Sequence, residues 1–276
     1  MWKIIAMALV CVGTARIAQA VDTSQLPAAE VETLKVGAPL PRFNLLRPST
    51  RLYLRYKIVG EQRSTVDIWR RQVSFEERNG RRHLHITWRW DSVGDQKFSR
   101  MADYWFDEVT FRPLTVERRV TKDDGTVTVS GFRYLPGQVV GMVDLPDNSA
   151  KDFVQVTDTP MFNFETDMEL FQTLKLRREF KVSIPFYEAG PGRGTPKYYT
   201  YNVIGEEKIP EPDGRSLDCW VMRTESSNPK WGPTRFWLSK ITQVVIREET
   251  ALPDGSIFVK MLLSDDSEID GVRAPS

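Results

Sequence analysis

Histidine, cysteine and closely spaced carboxylates are the side chains most able to carry chemistry, and this chain holds few of the first two. Its two histidines, His83 and His85, stand two apart in "RHLHITWRW". On a strand that spacing turns both rings to one face, a geometry able to chelate a metal. Thr87 and Arg89 continue the face, so no third ligand follows and a guanidinium opposes the cation. The expectation is a solvent-facing strand surface and no metal. Cys219 shares a face with Leu217 and Val221, opposite Trp220. A nucleophilic thiolate needs a base and an electropositive pocket beside it, and no base adjoins Cys219, so it reads as a buried structural thiol. Glu165, Asp167 and Glu169 alternate through "NFETDMELFQTL". Alternate residues of a helix point about 200° apart and cannot converge on one atom; these read as acids decorating a helix start. "GPGRG" at 190–194 lacks the Gly-Lys-Ser/Thr and the following helix of a phosphate cradle. There is no nucleophile elbow either. The residues point to no catalytic group and no cofactor.

The elements that would position these side chains follow a period of two. Leu84, Ile86, Trp88 and Trp90 fall on one face of their segment, with His83, His85, Thr87 and Arg89 on the other, which is the signature of a half-buried strand. Similar runs occur at 52–59, 65–75, 98–106, 114–121 and 126–134. They recur at 198–204, 217–224, 234–238, 244–249 and 256–263. Asn79-Gly80, Asp124-Gly125, Asp213-Gly214 and Asp254-Gly255 separate them as hairpin turns. The pattern predicts an all-β protein, an antiparallel meander. One segment departs from it: in 163–174 Phe164, Met168 and Phe171 stand at helical spacing, with Asn163 placed to cap. This predicts one short crossover helix.

The meander repeats itself. "DYWFDEVTFRPLTVERRVTKDDG" from Asp103 is echoed by "RFWLSKITQVVIREETALPDG" from Arg235. Trp237 lies 132 residues after Trp105, and Asp254-Gly255 lies 130 after Asp124-Gly125. A duplicated meander, folded into a curved open sheet or half-barrel, is the economical architecture. It divides the chain into a first β half at 45–157, a helical crossover at 158–177 and a second β half at 178–263. A polar, proline-bearing extended arm at 21–44 precedes them, a loop at 188–197 is expected to be mobile, and a frayed tail occupies 264–276.

Composition narrows the function class. Lys3, an apolar run from Ile4 to Gly13 and Ala18-Gln19-Ala20 make residues 1–20 a cleavable signal peptide. The run is shorter than the ~20 residues a membrane span needs. The expected location is the periplasm, peripheral to a membrane at most. Of 38 basic residues, removing Lys3 and Arg16 leaves 36 against 37 acidic ones, a balance that argues against nucleic acid as a partner. Cys219 alone remains of the two cysteines, so no internal disulfide forms.

The segments "FNFETDMELFQTLKL", "KYYTYNVIGEEKI", "LDCWVMRTE" and "RFWLSKITQVVIREE", from Phe162 to Glu249, carry a family resemblance through their order and spacing. They resemble a family of uncharacterised exported bacterial proteins, a domain of unknown function. The resemblance implies a curved antiparallel sheet, remotely similar to the half-barrels that carry lipoproteins or lipids through the periplasm, and it supplies no catalytic residues. Bulky side chains on both faces of strands, such as Trp69, Phe75 and Tyr199 and Tyr201 against Tyr198, require cover on both faces. The sequence therefore reads as a non-enzymatic binder of a hydrophobic ligand, a lipid or acyl chain, or of an envelope component. Phe164, Met168, Phe171, Trp105 and Trp237 are its candidate ligand-binding residues. The alternative is a structural protein that docks onto an envelope protein partner through its sheet.

Overall fold

The computed structural model describes residues 31–93, 98–210, 215–225, 231–265, 268–269 and 272–273. The signal-peptide segment and the Asp213-Gly214 turn lie outside them. Alternation of buried and exposed side chains produces strands where the sequence places them. β1 (Glu32–Thr33) precedes a 3-10 turn at Phe43–Leu45. The first meander follows: β2 (Ser49–Val59), β3 (Gln62–Arg78), β4 (Arg81–Ser92), β5 (Ser99–Asp107), β6 (Pro113–Thr121) and β7 (Val127–Leu135). Two short strands, β8 (Gln138–Gly141) and β9 (Val154–Val156), extend it. After β10 (Phe162–Asn163), a 3-10 turn at Phe164–Thr166 runs into the one helix, α1 (Asp167–Gln172). The second meander comprises β11 (Lys181–Tyr187), β12 (Lys197–Pro210), β13 (Ser216–Thr224), β14 (Thr234–Ser239), β15 (Val245–Ala251) and β16 (Ile257–Asp265). A separate hairpin pairs β17 (Glu268–Ile269) with β18 (Val272–Arg273).

All but that hairpin lie in one sheet, ordered β1-β11-β12-β13-β14-β15-β16-β2-β3-β4-β5-β6-β7-β8-β9, with β10 also on β11. The sheet is curved and open: β9 does not meet β1 or β10. The two meanders stand end to end, joined where β16 pairs antiparallel with β2. Tight turns carry the hairpins. Asn79 and Gly80 both take positive φ, +55° and +69°, the pairing a type I′ turn demands.

The inward face of the sheet and α1 form the main core. Leu84, Ile86, Tyr104, Phe106, Val116 and Phe132 are fully buried there. Met168, Leu170 and Phe171 of α1 are almost inaccessible there too. A smaller cluster of Cys219, Val221, Trp237, Val244 and Ile246 packs on its own.

Three expectations are corrected. The arm is not simply extended: β1 pairs with β11, and Leu34, Leu40, Phe43 and Leu46 are buried in the main core. Of the tail, Ser264 and Asp265 end β16 and 268–269 pair with 272–273, while its other residues lie outside the described ones. β11 is a strand absent from the period-two runs, and it contains Pro185. Its outer neighbours are β1, opposite Val182 and Ser183, and β10, opposite Phe186 and Tyr187. Pro185 falls between them, where its missing N–H costs no ladder bond.

Candidate ligand-binding site

The crossover segment is fixed on the concave face at both ends. Asn163 Oδ1 accepts from Glu165 N–H at 2.8 Å, the expected cap, and Asn163 Nδ2 donates to Tyr134 Oη at 2.9 Å. Beyond α1, Gln243 Nε2 donates to the carbonyls of Phe171 at 2.9 Å and Leu174 at 2.6 Å. Helix ends leave such carbonyls without partners, and here a side chain from the β14–β15 turn supplies one.

The acids of this segment are not surface decoration, as the sequence suggested. Glu169 is 2% exposed and takes a two-pronged contact from Arg71, 2.8 Å from Nε and 2.5 Å from Nη2. Glu165 accepts from Arg100 at 2.5 Å, Arg118 Nε at 2.6 Å and Tyr104 Oη at 2.9 Å. Burial pushes the Glu165 carboxyl up, but Arg118 and Arg100 outweigh it and hold it below the usual carboxylate range. Burial disfavours the Arg71 cation as well, and Glu169 reverses the direction. The three carboxylates do diverge, as helical geometry requires. Glu165 and Glu169 diverge onto arginines that the sheet aims inward.

Beside this segment lies a cavity of about 590 Å³. Trp69, Trp88 and Trp90 form one aromatic group on it. Trp69 and Trp88 stack at 5.5 Å with planes 5° apart, and Trp90 stands 5.4 Å from Trp69. The Arg55 guanidinium lies 4.3 Å from the Trp69 ring and 4.0 Å from that of Trp90, and Asp67 neutralises it from behind. A second aromatic group joins Phe164, Phe186, Tyr199, Tyr201 and Phe236. Gly192, Arg193, Gly194 and Thr195 also line the cavity, so the loop expected to be mobile is a wall of it. Another cavity, of about 510 Å³, adjoins residues 145–147 with Arg70, Arg89 and Arg119, but a single indole is its only aromatic lining.

Most charged groups lining the aromatic cavity are matched. Arg100 meets Glu165, Arg193 meets Glu188 at 2.9 Å, and Lys260 meets Glu248. Asp167 is the exception. It lines the cavity and makes no ion pair among the described residues. Burial raises its carboxyl to about 7, with Lys260 opposing and Glu248 reinforcing the rise.

Of the five residues expected to bind ligand, Phe164 alone lines this cavity. Met168 and Phe171 lie beneath it in the core, Phe171 packed edge-on against Tyr201 at 4.9 Å and Phe236 at 5.3 Å. Trp105 and Trp237 project to the other face of the sheet. Trp105 stacks on His85 at 4.1 Å, and Trp237 donates to Glu207 at 2.7 Å within the smaller cluster. His85 is therefore covered, not solvent-facing, and binds Glu76 and Asp103 at 2.8 Å each. Burial lowers its affinity for a proton, but the two carboxylates prevail and raise it. Among the described residues no three His, Cys, Asp or Glu gather as a metal site. Cys219 is fully buried, and burial pushes its thiol up to about 11, the opposite of an activated nucleophile.

The family model described as a protein of unknown function, DUF3108, matches residues 53–264. The chain belongs to the DUF3108 family. The match spans both meanders, whereas the sequence resemblance was carried by the second alone. A β-barrel-like protein of another family of unknown function, DUF1849, from Brucella abortus shares the fold. It has a TM-score of 0.52 and 11% identity, over 81% of this chain and 99% of that one. A DUF1329 family protein from Desulfovibrio piger overlaps at a TM-score of 0.30 and 11% identity, over 83% and 94% of the two chains. A domain from Vibrio parahaemolyticus assigned to outer membrane lipoprotein sorting overlaps at 0.23 and 11% identity, over 82% and 87%. Those two overlaps are too loose to carry an argument. Comparison with curated proteins finds no relative.

Proposed function

We propose that this DUF3108 protein is an exported, non-enzymatic binder that holds a hydrophobic ligand, a lipid or acyl chain, on the concave face of its sheet. The supporting observation is the cavity of about 590 Å³ between two aromatic groups and the crossover segment. Ligand sites are concave and a few hundred Å³ in size; this cavity has that size, and its aromatic side chains alternate with charged ones, most of them paired with one another. Export rests on the charge, apolar run and Ala-x-Ala pattern of the first twenty residues.

The test is uptake of a fluorescent acyl probe such as dansylundecanoic acid. Wild-type protein is expected to bind it with one site. Phe164→Ala, which strips a ring from the cavity, is expected to change the affinity at least about fivefold. Trp105→Phe, on the other face, is expected to leave it unchanged. Absence of probe binding by folded wild type overturns the reading. It would favour docking onto an envelope protein instead, for which the terminal strand β9 offers Val154 and Val156, 60% and 68% exposed.

A further inference from the structure

We propose that Asp167 anchors the polar end of the ligand and that this end is a cationic amine. The inference rests on the concave cavity being a ligand site, and it adds the chemistry of the head group. Three observations carry it.

The first is position. Asp167 lines the cavity and keeps part of its surface accessible, whereas its neighbours Thr166, Met168 and Glu169 are buried. Its Oδ1 accepts from Met168 N–H at 2.7 Å, and the carboxylate has further acceptor capacity.

The second is local charge balance. The ionisable groups that act on Asp167 are Lys260 from β16, Glu248 from β15, Arg71 from β3 and Glu169 from its own helix. The Tyr201 hydroxyl of β12 feels it too. Lys260 is held by Glu248 and Arg71 by Glu169, so these four cancel in pairs. Ionised Asp167 then leaves one negative charge uncompensated in a partly enclosed place. Such a charge is costly to hold unless a counter-ion meets it. Burial accordingly raises the carboxyl to about 7. A ligand cation would supply the missing charge, and its binding would expel the proton.

The third is the surroundings. Phe164, Tyr199, Tyr201 and Phe236 line the same cavity. Aromatic faces beside a carboxylate are a recognised receptor for ammonium groups. The indole faces of the first meander are already taken, by Arg55 over Trp69 and Trp90 and by Lys260 over Trp69 at 4.6 Å. In the second aromatic group Lys197 lies 5.0 Å over the Tyr199 ring, so an added cation would find room beside Phe164, Tyr201 and Phe236.

The experiment compares dodecyltrimethylammonium with dodecanol, both below their aggregation limits, on the full-length protein between pH 5.5 and 8.5. The ammonium probe itself does not titrate in that range. It is expected to bind at least about tenfold more tightly than the alcohol at pH 8. Its affinity should fall by about tenfold per unit below pH 7, following the ionised fraction of the carboxyl, while the alcohol stays level. Asp167→Asn is expected to erase both the preference and the pH dependence. Should that variant fold poorly, calorimetry of the wild type at pH 7 in buffers of different ionisation enthalpy reads the expelled proton directly. Equal binding of the two probes, an unchanged preference in Asp167→Asn, or no proton release overturns the anchor and leaves the cavity reading in place. If neither probe binds, the cavity reading falls with it.

Discussion

Charge carried into a protein interior costs several kcal/mol unless a counter-charge meets it, and this separates Asp167 from its neighbours Glu165 and Glu169. Glu165 and Glu169 are met by arginines, whereas Asp167 is met by none and keeps its proton up to about pH 7. An unfolded aspartate releases that proton near 3.8. Between these values the folded state binds more protons than the unfolded one, so the contribution of Asp167 to stability falls as pH rises. Asp167→Asn is therefore expected to stabilise the protein at pH 8 by about 2–4 kcal/mol and to leave it unchanged near pH 3.5. Urea denaturation at the two pH values checks both halves. His85 is also raised, by its two carboxylates. Its contribution is complete below about pH 6.5 and is lost as pH climbs through the folded value. His85→Gln should then destabilise more at pH 5.5 than at pH 8.5, and a ring titration followed by NMR should fall above the ordinary histidine value. The histidine face looked like plain surface in the sequence because Glu76 and Asp103 arrive from β3 and β5. The arginines turned inward carry no mark in the sequence that sets them apart. Arg55 shares the phase of Tyr53, Arg71 that of Val73, and Arg118 that of Val116. Period-two reasoning sends polar residues outward, and only the placement of their acids, 12 residues downstream for Arg55, 47 for Arg118 and 98 for Arg71, shows why these point in.

The crossover element depends on its ends more than on its own propensity. A six-residue helix is too short to persist alone, so α1 is held by what surrounds it. Gln243 is fully buried and adopts φ +56°, a conformation that favours glycine. The side chain justifies the strain: besides its bonds to Phe171 and Leu174, its Oε1 accepts from Arg42 Nη1 at 2.7 Å and from Leu176 N–H at 3.3 Å. Gln243→Ala keeps the Cβ and the backbone strain while removing these bonds. The Leu174 carbonyl and the Leu176 amide then lose a partner in a buried site, at about 1–3 kcal/mol each, while the Phe171 carbonyl keeps its bond from Leu174 N–H at 3.2 Å. The variant is expected to lose about 2–4 kcal/mol in urea unfolding, with near-UV circular dichroism preserved. The helix itself was legible, because Phe164, Met168 and Phe171 break the strand period; Asn163 caps the 3-10 turn that leads into it, and α1 has Thr166 at its N-cap with no side-chain bond. The role of Gln243 was not, since nothing in "KITQVVI" distinguishes a turn glutamine that faces water from one that reaches a helix end.

At the scale of the molecule the two meanders carry matching features. Both Trp105 and Trp237 precede a register shift in their strands, and Gly125 and Gly255 take φ of +77° and +80° in corresponding turns. We expect β2–β7 of the half 45–157 to superpose on β11–β16 of the half 178–263, with β8 and β9 left without counterparts; a crystal structure checks this. The pattern of turns made that order readable from sequence, whereas the pairing of β16 with β2 joins segments about two hundred residues apart and leaves no local mark. This seam has a consequence for folding. Eight register positions link Ile257–Asp265 to β2, so each meander completes the other's edge. The crossover segment ties them again: Glu169 pairs with Arg71 in the first, while Phe171 packs on Tyr201 and Phe236 in the second. The arm adds a third tie, with β1 on β11 and Phe43 edge-on to Phe75 at 6.3 Å and Phe111 at 6.4 Å. Opening one half would strip the apolar cover from the other, which is the condition for a single cooperative unit. Hydrogen exchange under rising denaturant is therefore expected to give the amides of β4 and β13 the same opening free energy, equal to that of global unfolding. Release of β13 at a lower denaturant concentration than β4, with β4 still protected, would show that the halves are separable and that the seam contributes little.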